Sequence, residues 1–177
     1  MDYRRVWLPG GTYFFTVTLQ RRHENELLTQ HIDTLKRSVS SVRQRHPFHI
    51  HAWVVLPEHL HCIIELPAGD ADYARRWWLI KSTFSRSIPA SEHRSATQLA
   101  RHERGIWQRR YWEHVIRNDE DYFAHMDYVH FNPVKHGYVG NVADWPYSTY
   151  HRLVSASIYP SSWSGQGHRC KQLNYED

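Results

Sequence analysis

The chain has 177 residues, a formal net charge of +4 and 15 histidines. That length suits one domain with its own core, and the charge suits an acidic partner without specifying one. Cys62 lies inside an apolar run and Cys170 far from it, so no disulfide framework is indicated. No apolar run approaches the roughly 18 residues of a membrane span, and the opening MDYRRVWLPGG lacks a secretory signal's apolar stretch; the expectation is a cytoplasmic protein without a membrane partner.

Thr12 to Gln20, TYFFTVTLQ, is β-branched and aromatic after a Gly-Gly turn and reads as a central strand. From Thr29 to His46 the apolar residues Ile32, Leu35, Val39 and Val42 recur at helical spacing, with Pro47 closing the segment. Phe48 to Leu56 and His59 to Leu66 are apolar runs separated by Pro57 and Glu58, the pattern of an antiparallel hairpin. Asp72 to Ser87 suits a second helix, and Ile88 to Gly105 is polar and reads as a loop or weakly helical insertion. Asn118 to Phe131 opens on NDED, which offers a cap and first-turn acids, and is expected to stop at Pro133. Gly137 to Val142 reads as a short return strand, and the remainder as irregular coat. The fold class is α+β: an antiparallel sheet with helices mainly on one face, the other face left for a ligand, and an irregular C-terminal segment.

In a strand over His59 to Leu66, His59, His61, Ile63 and Glu65 share one face, while Leu60, Cys62, Ile64 and Leu66 share a core face. Two imidazoles about 7 Å apart along such a strand can converge on one cation. A third ligand is then needed, and the late helix offers candidates. His125, Tyr128 and Asn132 lie on one stripe, with Asn132 preferred and His125 the alternative. Two imidazoles and an amide oxygen suit a divalent ion that also grips phosphate, whereas His125 would turn the preference toward zinc or manganese. Tyr128 beside such a cation is a candidate nucleophile, since a phenol with a pKa near 10 needs help to lose its proton.

VVLPEHLHCIIELP resembles the paired-histidine motif of the HUH single-strand DNA transposases, and DYVHFNPVKHGYV resembles their tyrosine helix. Together with YRR, GGTYFFTV, WQRRYWEHVIRNDEDY and DWPYSTYHR, these blocks resemble the REP-associated tyrosine transposases over about Tyr3 to Gly165. The resemblance implies a ferredoxin-like domain and metal-dependent cleavage of single-stranded DNA through a 5′-phosphotyrosine intermediate. The metal would be Mg²⁺ or Mn²⁺, and the substrates repetitive extragenic palindrome hairpins. It carries His59, His61 and Asn132 over as ligands and Tyr128 as nucleophile. It further implies a monomer, with residues 1–145 as the catalytic domain and 146–177 as an extension or tail. Many relatives have Asn where this chain has Glu58; its side chain is expected to point away from the ligands.

Hairpin DNA calls for phosphate neutralisers and stacking surfaces. The candidates are Arg75, Arg76 and Lys81 around Trp77 and Trp78, Arg109 and Arg110 between Trp107 and Trp112, and Lys135 after the tyrosine helix. Arg4 and Arg5 are candidates for reading guanine at the hairpin foot. Two competing readings are a hairpin-binding protein without chemistry and a phosphohydrolase in which the histidines activate water.

Overall fold

A computed structural model describes residues 7–165. Strand β1 (Thr12–Thr18) is followed by a short helix α1 (Leu27–Gln30) and by α2 (Ile32–Arg45), so the single helix expected there is broken at His31. The hairpin forms as β2 (His49–Val55) and β3 (His59–Glu65), closed by Leu56 N–H donating to His59 O at 2.8 Å. Then come α3 (Tyr73–Ser87), capped by the Asp72 carboxylate, and the short α4 (Ala96–Ala100) inside the polar insertion. The chain continues through β4 (Trp112–Val115), α5 (Asp119–Lys135), a 3₁₀ turn (Val142–Asp144) and α6 (Tyr150–Ser155).

The sheet order is β2-β3-β1-β4 with every neighbouring pair antiparallel. Threaded as β1-α2-β2-β3-α3-β4, this is the ferredoxin-like arrangement. Alternation along the strands divides the core. Tyr13, Phe15, Val17, Leu60, Cys62 and Ile64 pack against α2 and α3, as the apolar pattern requires. Phe14, Ala52, Val54 and Ile63 pack on the other face against Met126, Tyr128 and Val129 of α5. The second face is therefore a floor beneath the late helix.

Two local expectations are corrected, and one strand is added. The late helix runs through Pro133 to Lys135: the proline forfeits one backbone bond, and the closing turn supplies others, Gly137 N–H to Val134 O and Tyr138 N–H to Pro133 O, both at 3.0 Å. Gly137, at φ +73°, takes the left-handed position this closure needs, so Gly137 to Val142 turns instead of forming a strand. The fourth strand is Trp112–Val115, four residues whose polar neighbours conceal it in the sequence. Between residues 145 and 165 the chain is irregular apart from α6 but tied down: Trp145 Nε1 donates to Val55 O at 2.9 Å, and Thr149 N–H donates to Trp53 O at 2.9 Å.

Candidate active site

His59 and His61 are both buried on the α5 side of β3, their rings 4.8 Å apart and nearly perpendicular. Each ring is held through Nδ1. His61 Nδ1 lies 2.8 Å from Thr16 Oγ1 on the facing strand, where register pairs the two residues. His59 Nδ1 donates to Glu58 Oε1 at 3.0 Å. Glu58 thus turns toward the pair, contrary to expectation, because the hairpin turn frees it from strand alternation. Burial opposes its charge, but the His59 hydrogen bond and a further one from Tyr138 hold its pKa down to about 2. Arg22 adds an ion pair at 3.5 Å. Since a carboxylate only accepts, the proton sits on His59 Nδ1 and the Nε2 lone pair is available as a ligand.

Helix α5 completes the cluster. Tyr128, Asn132 and His136 recur every four residues and share one face. The Tyr128 ring lies edge-on to His61 at 5.3 Å, and the His136 ring lies 5.3 Å from His59. Asn132, one turn from each, is fully buried, and neither of its amide atoms has a hydrogen-bond partner among the described residues. The same holds for His59 Nε2. Orphaned buried polar atoms cost about 1–3 kcal/mol each, so an oxygen and a nitrogen left so beside a second imidazole fit a bound divalent cation. Lys135, two turns after Tyr128, places Nζ 3.4 Å from the phenolic oxygen and 4.9 Å over its ring. An ammonium there favours the phenolate.

His125 departs from the stripe's other members. Its Nδ1 donates to Asp121 O at 2.7 Å, its ring stacks on His114 at 4.6 Å, and the Phe14 ring touches both it and His61. His114, Asp121 and His125 have ligand atoms within 4.8 Å of one another and could hold a cation. Their own bonds already join β4 to α5: Asp121 accepts from His114 Nε2 at 2.8 Å and from Arg117 N–H at 2.9 Å. Burial keeps His125 below its usual pKa and neutral. The rings lie only 15° from parallel, which aims their in-plane lone pairs side by side and favours the hydrogen-bonded arrangement. His114 did not stand out in the sequence because β4 itself was missed, and Asp121 stood out only as a first-turn acid of the late helix.

The basic candidates separate by exposure. Arg75, Arg109 and Arg110 are exposed, Arg109 in a surface ion pair with Glu103 at 2.9 Å. Lys81 is half-buried, donates to Gln108 O at 2.9 Å and sits over Tyr111. Arg76 is corrected to a structural role: it is 4% exposed, and its guanidinium donates to the Asp70 carboxylate and to Pro47 O, each at 2.7 Å. Trp77 is core and Trp107 packs on Phe84, whereas Trp78 and Trp112 are 64% and 47% exposed. Arg4 and Arg5 lie outside the described residues.

No protein-family model matches the chain. It is 46% identical over 164 residues, 93% of this chain and 91% of the relative, to the REP-associated tyrosine transposase of Escherichia coli (strain K12). The chain belongs to the REP-associated tyrosine transposase family. A solved REP-associated tyrosine transposase bound to a REP hairpin matches it with a TM-score of 0.81 at 46% identity, covering 96% of this chain and 94% of that one. The chain is thus a transposase enzyme with the family's α+β fold, and the family implies a metal-dependent reaction. Among the described residues no helix is long and apolar enough to cross a membrane.

Proposed function

We propose that this transposase cleaves and rejoins single-stranded DNA at the foot of repetitive extragenic palindrome hairpins, through a covalent 5′-phosphotyrosine on Tyr128. The observation that carries the reading is the approach of Lys135 Nζ to the Tyr128 phenol directly beside the buried His59, His61 and Asn132. Tyr128 attacks the phosphorus: the P–O bond to tyrosine forms, the bond to the 3′ oxygen breaks, the phenolic proton leaves to solvent, and the 3′ oxygen takes one up. Lys135 stabilises charge on the phenolic oxygen as it attacks, and again as it leaves when a 3′-hydroxyl reverses the step. Glu58 and Thr16 hold the imidazoles in the orientation that turns Nε2 away from the strand. A Mg²⁺ or Mn²⁺ ion held by His59, His61 and Asn132 supplies, when bound, polarisation of the scissile phosphate and neutralisation of the departing oxygen.

Arg75, Arg109, Arg110 and Lys135 are the phosphate-facing cations of this reading, with Arg4 and Arg5 assigned to the hairpin foot. The protein acts as a monomer; in support, residues 145–159 bond back onto β2 and α5 of their own chain, Tyr159 donating to Asp127 at 2.7 Å. Sedimentation would give the monomer mass. The chemistry is tested by incubating the protein with end-labelled hairpin and Mn²⁺ or Mg²⁺ and resolving the products under denaturing conditions. A protein-linked strand that disappears in Tyr128→Phe is expected. Cleavage without an adduct, or full activity in Tyr128→Phe, would replace the nucleophile with activated water; binding without cleavage would leave a hairpin-recognising protein.

A further inference from the structure

Beside α5, on the flank turned away from Tyr128, a cavity of about 720 Å³ opens between the start of β2, the first half of α5 and the segment that follows α6. Its volume falls within the roughly 300–1,000 Å³ of ligand sites. Aromatic rings form its walls: Tyr122 and Phe123 from α5, Tyr159 and Trp163 from the C-terminal segment, the last two 4.8 Å apart. Phe123 remains 50% exposed. Arg152 stands on the wall, fixed by Nη2 donating to Ile50 O at 2.9 Å and exposed along the rest of its side chain.

One wall is held by a relay that the catalytic cluster does not use. The β2 ladder slips between Ile50 and Ala52, leaving His51 as the extra residue of a bulge. A bulge re-aims its side chain, and His51 bridges two others: Nε2 lies 2.9 Å from Glu65 Oε2, and Nδ1 lies 2.9 Å from Tyr122 OH. The carboxylate can only accept, so Nε2 carries the ring proton and Nδ1 accepts from the phenol. Burial lowers the His51 pKa against the pull of Glu65, keeping the ring neutral. Tyr122 therefore spends its single proton on His51 and turns an acceptor oxygen toward the cavity. Asp127, also on the wall, offers a carboxylate that accepts from Tyr159 OH.

We propose that this cavity receives one unpaired nucleotide of the single-stranded DNA next to the hairpin: its base stacked among Phe123, Tyr159 and Trp163, its phosphate on Arg152. The acceptors on this wall, the Tyr122 oxygen and the Asp127 carboxylate, favour bases that present an exocyclic amino group over thymine, whose one donor is its ring N3–H. Tyr122 stands six residues before Tyr128 on the same helix, about 9 Å along its axis, so a strand attacked at Tyr128 reaches the cavity within a few nucleotides. Helix α5 then carries both the nucleophile and the reader of a neighbouring base.

The proposal rests on the DNA reading above, and the test separates the two. Binding of a blunt hairpin and of the same hairpin with a short unpaired extension is measured by anisotropy, with 2-aminopurine placed in turn at each unpaired position. The expected result is quenching at one position, and a loss of roughly 5- to 150-fold for the extended hairpin alone in Phe123→Ala or Trp163→Ala. Tyr122→Phe, which keeps the ring, is expected to bind the extended hairpin while no longer preferring amino-bearing bases over thymine at that position. Equal losses on both hairpins, no loss in either alanine variant, or no quenched position overturns the cavity assignment and leaves the DNA reading intact. Failure of the wild-type protein to bind either hairpin overturns both. Thermal melting of each variant verifies its fold.

Discussion

At the scale of single residues the site depends on which ring nitrogen carries a proton. Glu58 settles this for His59, because its carboxylate accepts from Nδ1 and is itself held near a pKa of 2. Glu58→Ala is expected to weaken Mn²⁺ binding by about 10- to 100-fold, with Glu58→Gln intermediate, as read by calorimetric titration without DNA. An unchanged affinity would separate Glu58 from the metal site. His130 plays a purely structural part: fully buried, it meets Thr149 Oγ1 at 2.9 Å, and burial pushes its pKa down to about 3 from 6.5. Its folded-state pKa is the lower one. Its contribution is therefore complete above about pH 6.5 and is lost progressively as pH falls toward 3, since only the unfolded chain takes up the proton in that window. Denaturant midpoints at pH 7 and 5 are expected to differ less in His130→Gln than in the wild type.

At the scale of elements, α5 carries the proposed nucleophile Tyr128 and the proposed ligand Asn132. Asn118 caps it, its side chain accepting from Asp121 N–H at 2.9 Å, and three acids in its first turn complement the positive end of the helix dipole. Its Schellman closure at Gly137 sets the direction of the last turn, which bears Asn132, Lys135 and His136. Gly137→Ala places a side chain at φ +73° and is expected to cost roughly 1–2 kcal/mol in denaturant unfolding. Adduct formation should fall further than that loss of stability predicts, because Lys135 loses its seat over Tyr128. At the other end, the His114–Asp121–His125 network fastens the helix to the edge strand β4. Phe14 stands between that network and His61 of the proposed metal site, so β1 spaces the two ends of α5 as well as pairing with β3.

At the scale of the whole molecule, the division of the sheet into two faces separates stability from chemistry. Helices α2 and α3 bury the larger core, while α5 sits on the opposite face with the site. The exposed arginines near β4 are the proposed phosphate contacts. Arg109 surrenders only a surface ion pair, worth well under 1 kcal/mol, when it exchanges Glu103 for DNA. Replacing both Arg109 and Arg110 by Ala is expected to weaken hairpin binding and to flatten the dependence of log K on log salt by about 0.9 for each phosphate contact removed. An unchanged slope would take these residues off the DNA.

Local patterning determined much of this protein from the sequence alone. Period-two alternation over His59 to Leu66 assigned the two histidines to one sheet face and Cys62 to the other, and helical spacing aligned Tyr128 with Asn132; both depend only on the chain's own geometry. The order of quoted blocks matched the family. What lay beyond reach depended on partners distant in sequence. Arg76 and Arg75 look alike as letters, yet one is buried by Asp70 and Pro47 O while the other meets solvent. The strand Trp112–Val115 is defined by its pairing with β1, and its four residues carry too little pattern to announce it. Glu58 met His59 because a turn lifted it out of alternation, and His51 met Tyr122 across 71 residues because a bulge turned it. Spacing along a helix or strand is a property of adjacent residues, whereas burial, proton placement and cavity shape arise only when separate elements meet; only the tertiary structure decided those.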